Sequence, residues 1–264
     1  MTFSIIGTGN IAWFFGSRLV AEKHHCTGVY GRDKAETQKL AESLRADKNG
    51  PIKTIEDGSS DICLLALSDS AIGDTAARLG FKQTVLVHTA GAVSLDVIKE
   101  GAVDTALLWP VYSILKSSPP THKNIPCAWE ASSDKAKIFV LEMATAITDH
   151  IFEAKYEQRR WLHLSAVIGN NFVNHLLAIC EQVCVENRLP YSVLKPIIEQ
   201  TFERTRHASP QSLQTGPAVR NDTPTITAQI ALLANHPEWR QIYEVITASI
   251  QSQSVKKPLI KNNY

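Results

Sequence analysis

Met1-Thr-Phe-Ser-Ile-Ile-Gly-Thr-Gly-Asn-Ile-Ala12 opens the chain with a short β-branched and apolar run that flows into Gly7-x-Gly9-x-x-Ala12. In a strand-to-helix turn of this kind each small residue has a task. The first glycine permits the tight bend, the second lets the backbone approach a pyrophosphate, and a small third residue allows the helix to lie close to the strand. A glycine-rich turn can also be purely structural. Here a strand precedes it, a helix over Asn10 to Lys23 follows it, and a second strand comes at the expected distance, so a dinucleotide-binding turn is expected, with Gly7, Thr8, Gly9, Asn10 and Ile11 as cofactor-binding residues.

The second strand, Cys26 to Tyr30, ends in Gly31-Arg32-Asp33, roughly 20 residues after the glycines, where this fold reads the adenosine ribose. An acidic side chain there would bond a ribose 2′-hydroxyl, whereas a guanidinium accommodates a 2′-phosphate through paired, charge-assisted hydrogen bonds. The first side chain past Gly31 is Arg32, which favours NADP over NAD; the alternative is a solvated arginine in a surface loop, with Asp33 beside it.

Strand and helix signals alternate up to about residue 150. Lys34 to Arg45 reads as a helix, Ile52 to Ile55 as a short strand, and Asp61 to Leu67 as a continuous apolar strand of the type covered on both faces. Asp69 to Leu79 reads as a helix, Thr84 to His88 and Val103 to Trp109 as strands, Cys127 to Ala131 as a weaker strand and Lys135 to Ile147 as a helix. The fold class expected is α/β, a doubly wound, mostly parallel Rossmann sheet. From about Lys155 strand signals stop and apolar-periodic segments follow: Tyr156 to Asn187, Ser192 to His207, Thr223 to Asn235 and Glu238 to Ser252, punctuated by Pro190, Pro196, Pro210, Pro217, Pro224 and Pro237. An all-α domain over 155–264 is therefore expected after a nucleotide-binding domain over 1–154.

Composition narrows the partners. The 27 basic and 26 acidic residues nearly cancel, with no basic stripe, which speaks against nucleic acid and anionic membrane. The chain runs straight into a strand without a charged leader, long apolar segment or cleavage site, so a cytoplasmic protein is expected. Cys26, Cys63, Cys127, Cys180 and Cys184 form no Cys-x-x-Cys pair, and an odd number argues against a disulfide framework. Cys180 and Cys184 share a helix face whose apolar neighbours suit core packing better than metal binding, and no metal site is expected.

Open α/β sheets bind ligands at the carboxyl ends of their strands, so the loops after Leu67, His88 and Trp109 should face the nicotinamide: Ser68-Asp69-Ser70, Thr89-Ala90-Gly91-Ala92 and Pro110-Val111-Tyr112-Ser113. Leu67, Ser68 and Thr89 join the cofactor-binding set. His88 could supply the proton that hydride delivery to a carbonyl or imine requires, or could be a neutral histidine that caps a strand end and orients the next loop. On the long helix, His163, Asn170 and Asn174 share one face while Asn171 and His175 lie on an adjoining stripe. Asparagines are poor helix-interior residues and a buried amide needs a partner; a ligand could be that partner, as could a neighbouring domain, water or a second subunit. In the loop from Arg206 to Thr223, Gly216-Pro217 fixes a turn and Asp222 or Thr223 can cap the next helix, while Arg220 offers a fork for a carboxylate or phosphate, or pairs with Asp222.

Taken together these residues resemble a Rossmann-like family described as NADP oxidoreductases, whose C-terminal helical domain is of uncharacterised function and whose relatives include pyrroline-5-carboxylate reductase and the deazaflavin-dependent NADP reductases. The resemblance rests on the Gly7 turn, Gly31-Arg32, His88-Thr-Ala-Gly91-Ala, Trp109-Pro110, the His163 helix with Asn171, and Thr215-Gly-Pro-x-x-Arg220-x-Asp222. Asn221 departs from the glycine expected at its position. The resemblance implies a helical dimerisation domain and an active cleft between the two domains, hence a homodimer. Related β-hydroxyacid dehydrogenases place a lysine four residues before the helix asparagine; here that residue is Val167, so lysine-assisted carbonyl chemistry is not expected. The function expected is NADP-dependent hydride transfer to or from a small imine or carbonyl metabolite, anionic if Arg220 holds it, with His88, His163, Asn171 and Arg220 as the catalytic set. The alternative is a non-catalytic NADP-binding regulatory or assembly protein, which an apolar or blocked cleft would favour.

Overall fold

The computed structural model describes residues 1–255, and the glycine turn sets its architecture. β1 (Thr2–Ile6) ends at Gly7, whose φ of +117° lies in a region that side chains other than glycine's rarely adopt. Gly7 donates its N–H to Tyr30 O at 2.8 Å, at the end of β2 (His25–Tyr30). Ala66, just past β4 (Ile62–Leu65), donates to Ile6 O at 2.9 Å. β1 is thereby flanked by β2 and β4, both parallel to it.

The complete sheet has the order β3-β2-β1-β4-β5-β6-β7-β8, where β3 is Lys48–Gly50, β5 Val85–His88, β6 Thr105–Pro110, β7 Cys127–Ala131 and β8 Ile151–Glu153. β1 to β6 are parallel; β7 runs antiparallel to β6 and parallel to β8. Strand order reverses between β1 and β4, which opens a crevice at their carboxyl ends.

Alternating side chains of the strands feed two cores. Phe3, Ile5, Ile62, Leu64, Val85 and Val87 join Phe15 and Leu19 of α1 (Asn10–Ala21), Leu40 of α2 (Lys34–Leu44) and Val140 of α4 (Asp134–Ile147). Ile6, Cys63, Leu65 and Leu86 join Ile72 of α3 (Asp69–Ala76), together with Leu95 and Ile98. Cover on both faces explains why β4 and β5 read as unbroken apolar runs.

Ile52 to Ile55 is not a strand. Pro51 lacks the N–H that a ladder needs, Ile52–Thr54 forms a 3-10 turn in which Thr54 Oγ1 donates to Pro51 O at 2.7 Å, and the strand lies just before, at Lys48–Gly50.

Past Glu153 the described chain is helical: α5 (Tyr156–Ala166), a π-helical stretch Val167–Phe172, then α6 (Val173–Glu186), α7 (Lys195–Thr205), α8 (Thr223–Leu232) and α9 (Pro237–Val255). Pro196 and Pro224 lie in the first turns of α7 and α8, where a missing N–H costs nothing. The change from strand to helix falls after Glu153, whereas by packing the chain divides between Asn171 and Phe172, because Arg159 and Leu162 of α5 pack with the sheet. In the second unit only Cys184, Ala218 and Ile226 are enclosed apolar residues among those described, and Cys180 and Cys184 line an apolar cavity with Leu176 and Val183.

A Cβ on Gly7 would stand 2.2 Å from Ala66 O. Gly7→Ala is expected to destabilise the protein by at least about 1–3 kcal/mol, measured by urea denaturation; an unchanged midpoint would contradict the close approach.

Candidate functional site

The crevice at the strand-order reversal is a cleft of about 990 Å³. Gly7, Thr8 and Gly9 line it, with Gly31, Arg32, Asp33 and Ile52 past β2, and Ala66, Leu67 and Ser68 past β4; Ala71, Asp74, Thr75 and Arg78 line it from α3 and the turn that follows. Gly9 is the N-cap of α1, makes no side-chain cap, and no acidic residue sits in the helix's first turn. Nothing lies within 4 Å of where a Gly9 Cβ would be. An uncapped helix N-terminus fronted by bare peptide suits a pyrophosphate, since both the unpaired N–H groups and the helix dipole favour an anion.

Arg32 is exposed and makes no ion pair or side-chain hydrogen bond among the described residues, whereas the Asp33 carboxylate accepts the Glu36 N–H at 3.0 Å and caps α2. The acid beside Arg32 is therefore turned to its own helix. Asn10, Ile11 and Thr89 do not line this cleft. Asn10 instead accepts the Lys116 N–H at 3.0 Å through Oδ1, while Arg18 donates to Pro120 O and His122 O at 2.7 and 2.9 Å. These bonds strap the loop after β6 across α1, an arrangement a local motif cannot disclose.

A second cleft, about 560 Å³, opens at the end of β6. Trp109 to Ser113 form one wall; His163, Ala166, Val167, Asn170 and Asn171 form the other. The Trp109 and His163 rings meet at 5.7 Å between centroids. A Cβ on Gly91 would stand 2.3 Å from the Trp109 indole, so the 89–92 loop lies tight against that ring. The expected 3.6-residue geometry separated Asn171 from His163. Asn170, expected on the face of His163, lines the cleft with it, and Asn171 lines it too, in the π-helical stretch Val167–Phe172 that widens the turn and shifts its phase. Among the described residues no lysine, arginine or carboxylate lines this cleft, and Val167 stands on its wall four residues before Asn171.

His88 is fully buried and lines neither cleft. Its Nδ1 accepts the Ala90 N–H at 3.3 Å, so a neutral ring carries its proton on Nε2, which has no partner among the described residues. Burial, with the nearby Arg159 charge adding to it, pushes its pKa down to about 3. The ring orients the Ala90 loop as a neutral imidazole, the second of the two readings, and being buried away from both clefts and uncharged near neutral pH it is not placed as an imidazolium proton donor.

The sequence did not single out Arg159. It is fully buried, pairs with the Glu130 carboxylate on β7, and donates to Ala154 O at 2.8 Å and Val93 O at 3.0 Å. Its neighbour Arg160 is exposed and pairs with Glu157 at 3.1 Å. Local spacing could not tell the two apart. In the second unit Arg220 is exposed and makes no ion pair among the described residues. Asp222 is turned to Thr225, accepting its N–H at 3.2 Å and its hydroxyl at 2.9 Å. Asn221 sits at φ +52°, a left-handed conformation that asparagine tolerates and glycine adopts freely, which accounts for the glycine expected there.

Residues 125–250 match a family model described as a domain of unknown function, DUF2520. No curated protein matches the sequence. Among solved structures, a "putative NADP oxidoreductase" from Bacteroides fragilis is 28% identical, with a TM-score of 0.87 over 95% of this chain and 98% of the other. A protein from Thermotoga maritima is 19% identical (TM-score 0.71, 96% and 98% covered), and a 1-pyrroline-5-carboxylate reductase from Streptococcus pyogenes is 13% identical (TM-score 0.62, 96% and 98% covered). The likeness to Rossmann-like oxidoreductases with a helical C-terminal region, pyrroline-5-carboxylate reductases among them, extends over nearly the whole chain.

The buried His88 gives stability a pH dependence. Below about pH 6.5 the unfolded chain binds a proton at this ring, whereas the folded protein refuses it until about pH 3, so the contribution is present above pH 6.5 and lost as pH falls through that window. His88→Asn keeps an acceptor for Ala90 and cannot take up that proton; its melting-temperature deficit relative to wild type is expected to shrink from pH 7 to pH 4. A constant deficit would contradict the assignment.

Proposed function

Taking the chain as a Rossmann-like protein that carries a DUF2520 region, we propose that it is an oxidoreductase that binds NADP along the carboxyl edge of its sheet and transfers hydride to or from a small carbonyl or imine metabolite. The observation that carries this reading is that both clefts open on one edge of one sheet, the first past β1, β2 and β4 and the second past β6. The cofactor, once bound, supplies the hydride chemistry. The α1 N-terminus takes the pyrophosphate and Arg32 the 2′-phosphate. In the second cleft His163 donates a proton or polarises the acceptor, Asn170 and Asn171 hold its polar atom, and Trp109 walls off water. That the substrate is anionic is proposed from Arg220, whose guanidinium makes no ion pair among the described residues; among those residues no lysine or arginine lines the second cleft. Its amides and imidazole favour turnover over a purely regulatory nucleotide-binding role, which would leave them without purpose.

We also propose a homodimer. The second unit leaves Ile197, Phe202 and Leu232 exposed by 62%, 48% and 82%. A unit with so little enclosed core needs a cover that is always at hand, and a second copy supplies one; obligate interfaces resemble a core cut in half. Among the described residues no helix is long and apolar enough to cross a membrane.

Calorimetric titration of NADPH and NADH tests the cofactor reading. NADPH is expected to bind more tightly, Arg32→Ala to weaken it at least about tenfold, and Gly9→Ala to lose both nucleotides at a cost of no more than about 1 kcal/mol in stability. Binding of neither nucleotide by wild type would overturn the proposal. Light scattering after size exclusion should give twice the chain mass, and Leu232→Glu should shift it toward monomer; a wild-type monomer at micromolar concentration would refute the dimer.

A further inference from the structure

Ala71, Asp74 and Thr75 of α3 and Arg78 of the turn that follows recur at three- and four-residue spacing, and all four line the nucleotide cleft together with Arg32 and Ile52. Asp74 and Arg78 are four residues apart, the separation at which opposite charges pair on a helix surface, yet neither makes an ion pair among the described residues. The Arg78 backbone is fixed by its N–H to Thr75 O at 3.2 Å, while its exposed guanidinium is left uncommitted at the cleft.

The charged lining of the cleft consists of Arg32, Arg78, Asp33 and Asp74, two cations against two anions. A phosphate monoester carries about −1.5 to −2 charges at neutral pH. Arg32 alone would meet it with one positive charge among two carboxylates, a net repulsive surround. A second guanidinium, lining the same cleft from another element, removes that deficit and adds a second fork of donors, the arrangement that planar, bidentate phosphate recognition favours.

We infer that Arg78 is the second arm of an adenosine 2′-phosphate subsite, closing on the phosphate from the α3 side while Arg32 holds it from the β2 side. The inference rests on the reading of this cleft as a dinucleotide site and deepens it, making NADP preference the joint product of two arginines on different elements. Arg78 has no part in the fold's cores, so its substitution should leave the melting temperature unchanged.

The test is calorimetric titration of wild type, Arg78→Ala, Arg78→Lys and Arg32→Ala with NADPH, NADH, adenosine 2′,5′-bisphosphate and 5′-AMP. Arg78→Ala is expected to weaken NADPH and the bisphosphate at least about tenfold while leaving NADH and AMP within about twofold, and Arg78→Lys to recover part of the loss. Equal weakening of phosphorylated and unphosphorylated ligands would overturn the inference, because Arg78 would then act on a shared part of the nucleotide. So would unchanged affinities in Arg78→Ala alongside lost NADPH preference in Arg32→Ala, a result that leaves the dinucleotide reading intact. Binding of neither NADPH nor NADH by wild type sinks both.

Discussion

At the end of β1 the peptide of Gly7 runs so close to the Ala66 carbonyl that no side chain fits between them. That approach, made possible by a positive φ, joins the carboxyl ends of β1 and β4 while Gly7 also bonds the end of β2. Three strands are thereby brought to a common edge where strand order reverses. The α1 N-terminus is delivered to the same place with its N–H groups uncapped. A cleft suited to a phosphate thus follows from one backbone contact, before any side chain has been chosen for binding.

A second constraint organises the other end of the same edge. Burying a guanidinium is costly unless its charge is met, and the two terminal nitrogens of Arg159 are met by Glu130 of β7 and by the carbonyls of Ala154 and Val93, while its Nε has no partner among the described residues. Those partners come from a strand, from the approach to α5 and from the loop after β5, so one side chain ties three segments together. One helical turn later on α5 stands His163, its ring tilted against that of Trp109, whose indole is pressed on Gly91 of the tied loop. The same buried charge adds to the burial that holds His88 neutral. Arg159 thus sets the frame of the second cleft without lining it.

How much of this was legible followed from the range of the interaction concerned. The Gly7 turn, the buried strands and the helices leave period-2 or period-3.6 traces within a dozen residues, and these read correctly. β3 did not, because Lys48-Asn-Gly50 is a polar edge strand held by its pairing with β2 rather than by its own composition. Arg159 and Arg160 look alike until the tertiary partners of the first are known. Asn10 sits where a cofactor contact is expected, but its amide is taken by a loop more than a hundred residues away. The π-helical stretch that carries Asn171 into the cleft of His163 likewise has no periodic signature.

The two clefts differ in kind, and the difference bears on how the proposed chemistry divides. Long-range charge belongs to the nucleotide cleft, where Arg32, Arg78, Asp33 and Asp74 are exposed to solvent or nearly so and act on a ligand whose phosphates carry their own hydration. The second cleft has none. Its polar groups are an imidazole, amides and hydroxyls set among Trp109, Pro110 and Val111, short-range donors and acceptors that require a correctly placed partner to contribute anything. Charge developing on a carbonyl or imine during hydride transfer is better stabilised by such fixed dipoles than by a mobile surface cation, since dipoles already oriented need no rearrangement as the charge appears. On the proposed reading, affinity is assigned to the charged cleft and orientation to the neutral one, with Arg159 holding the geometry of the second.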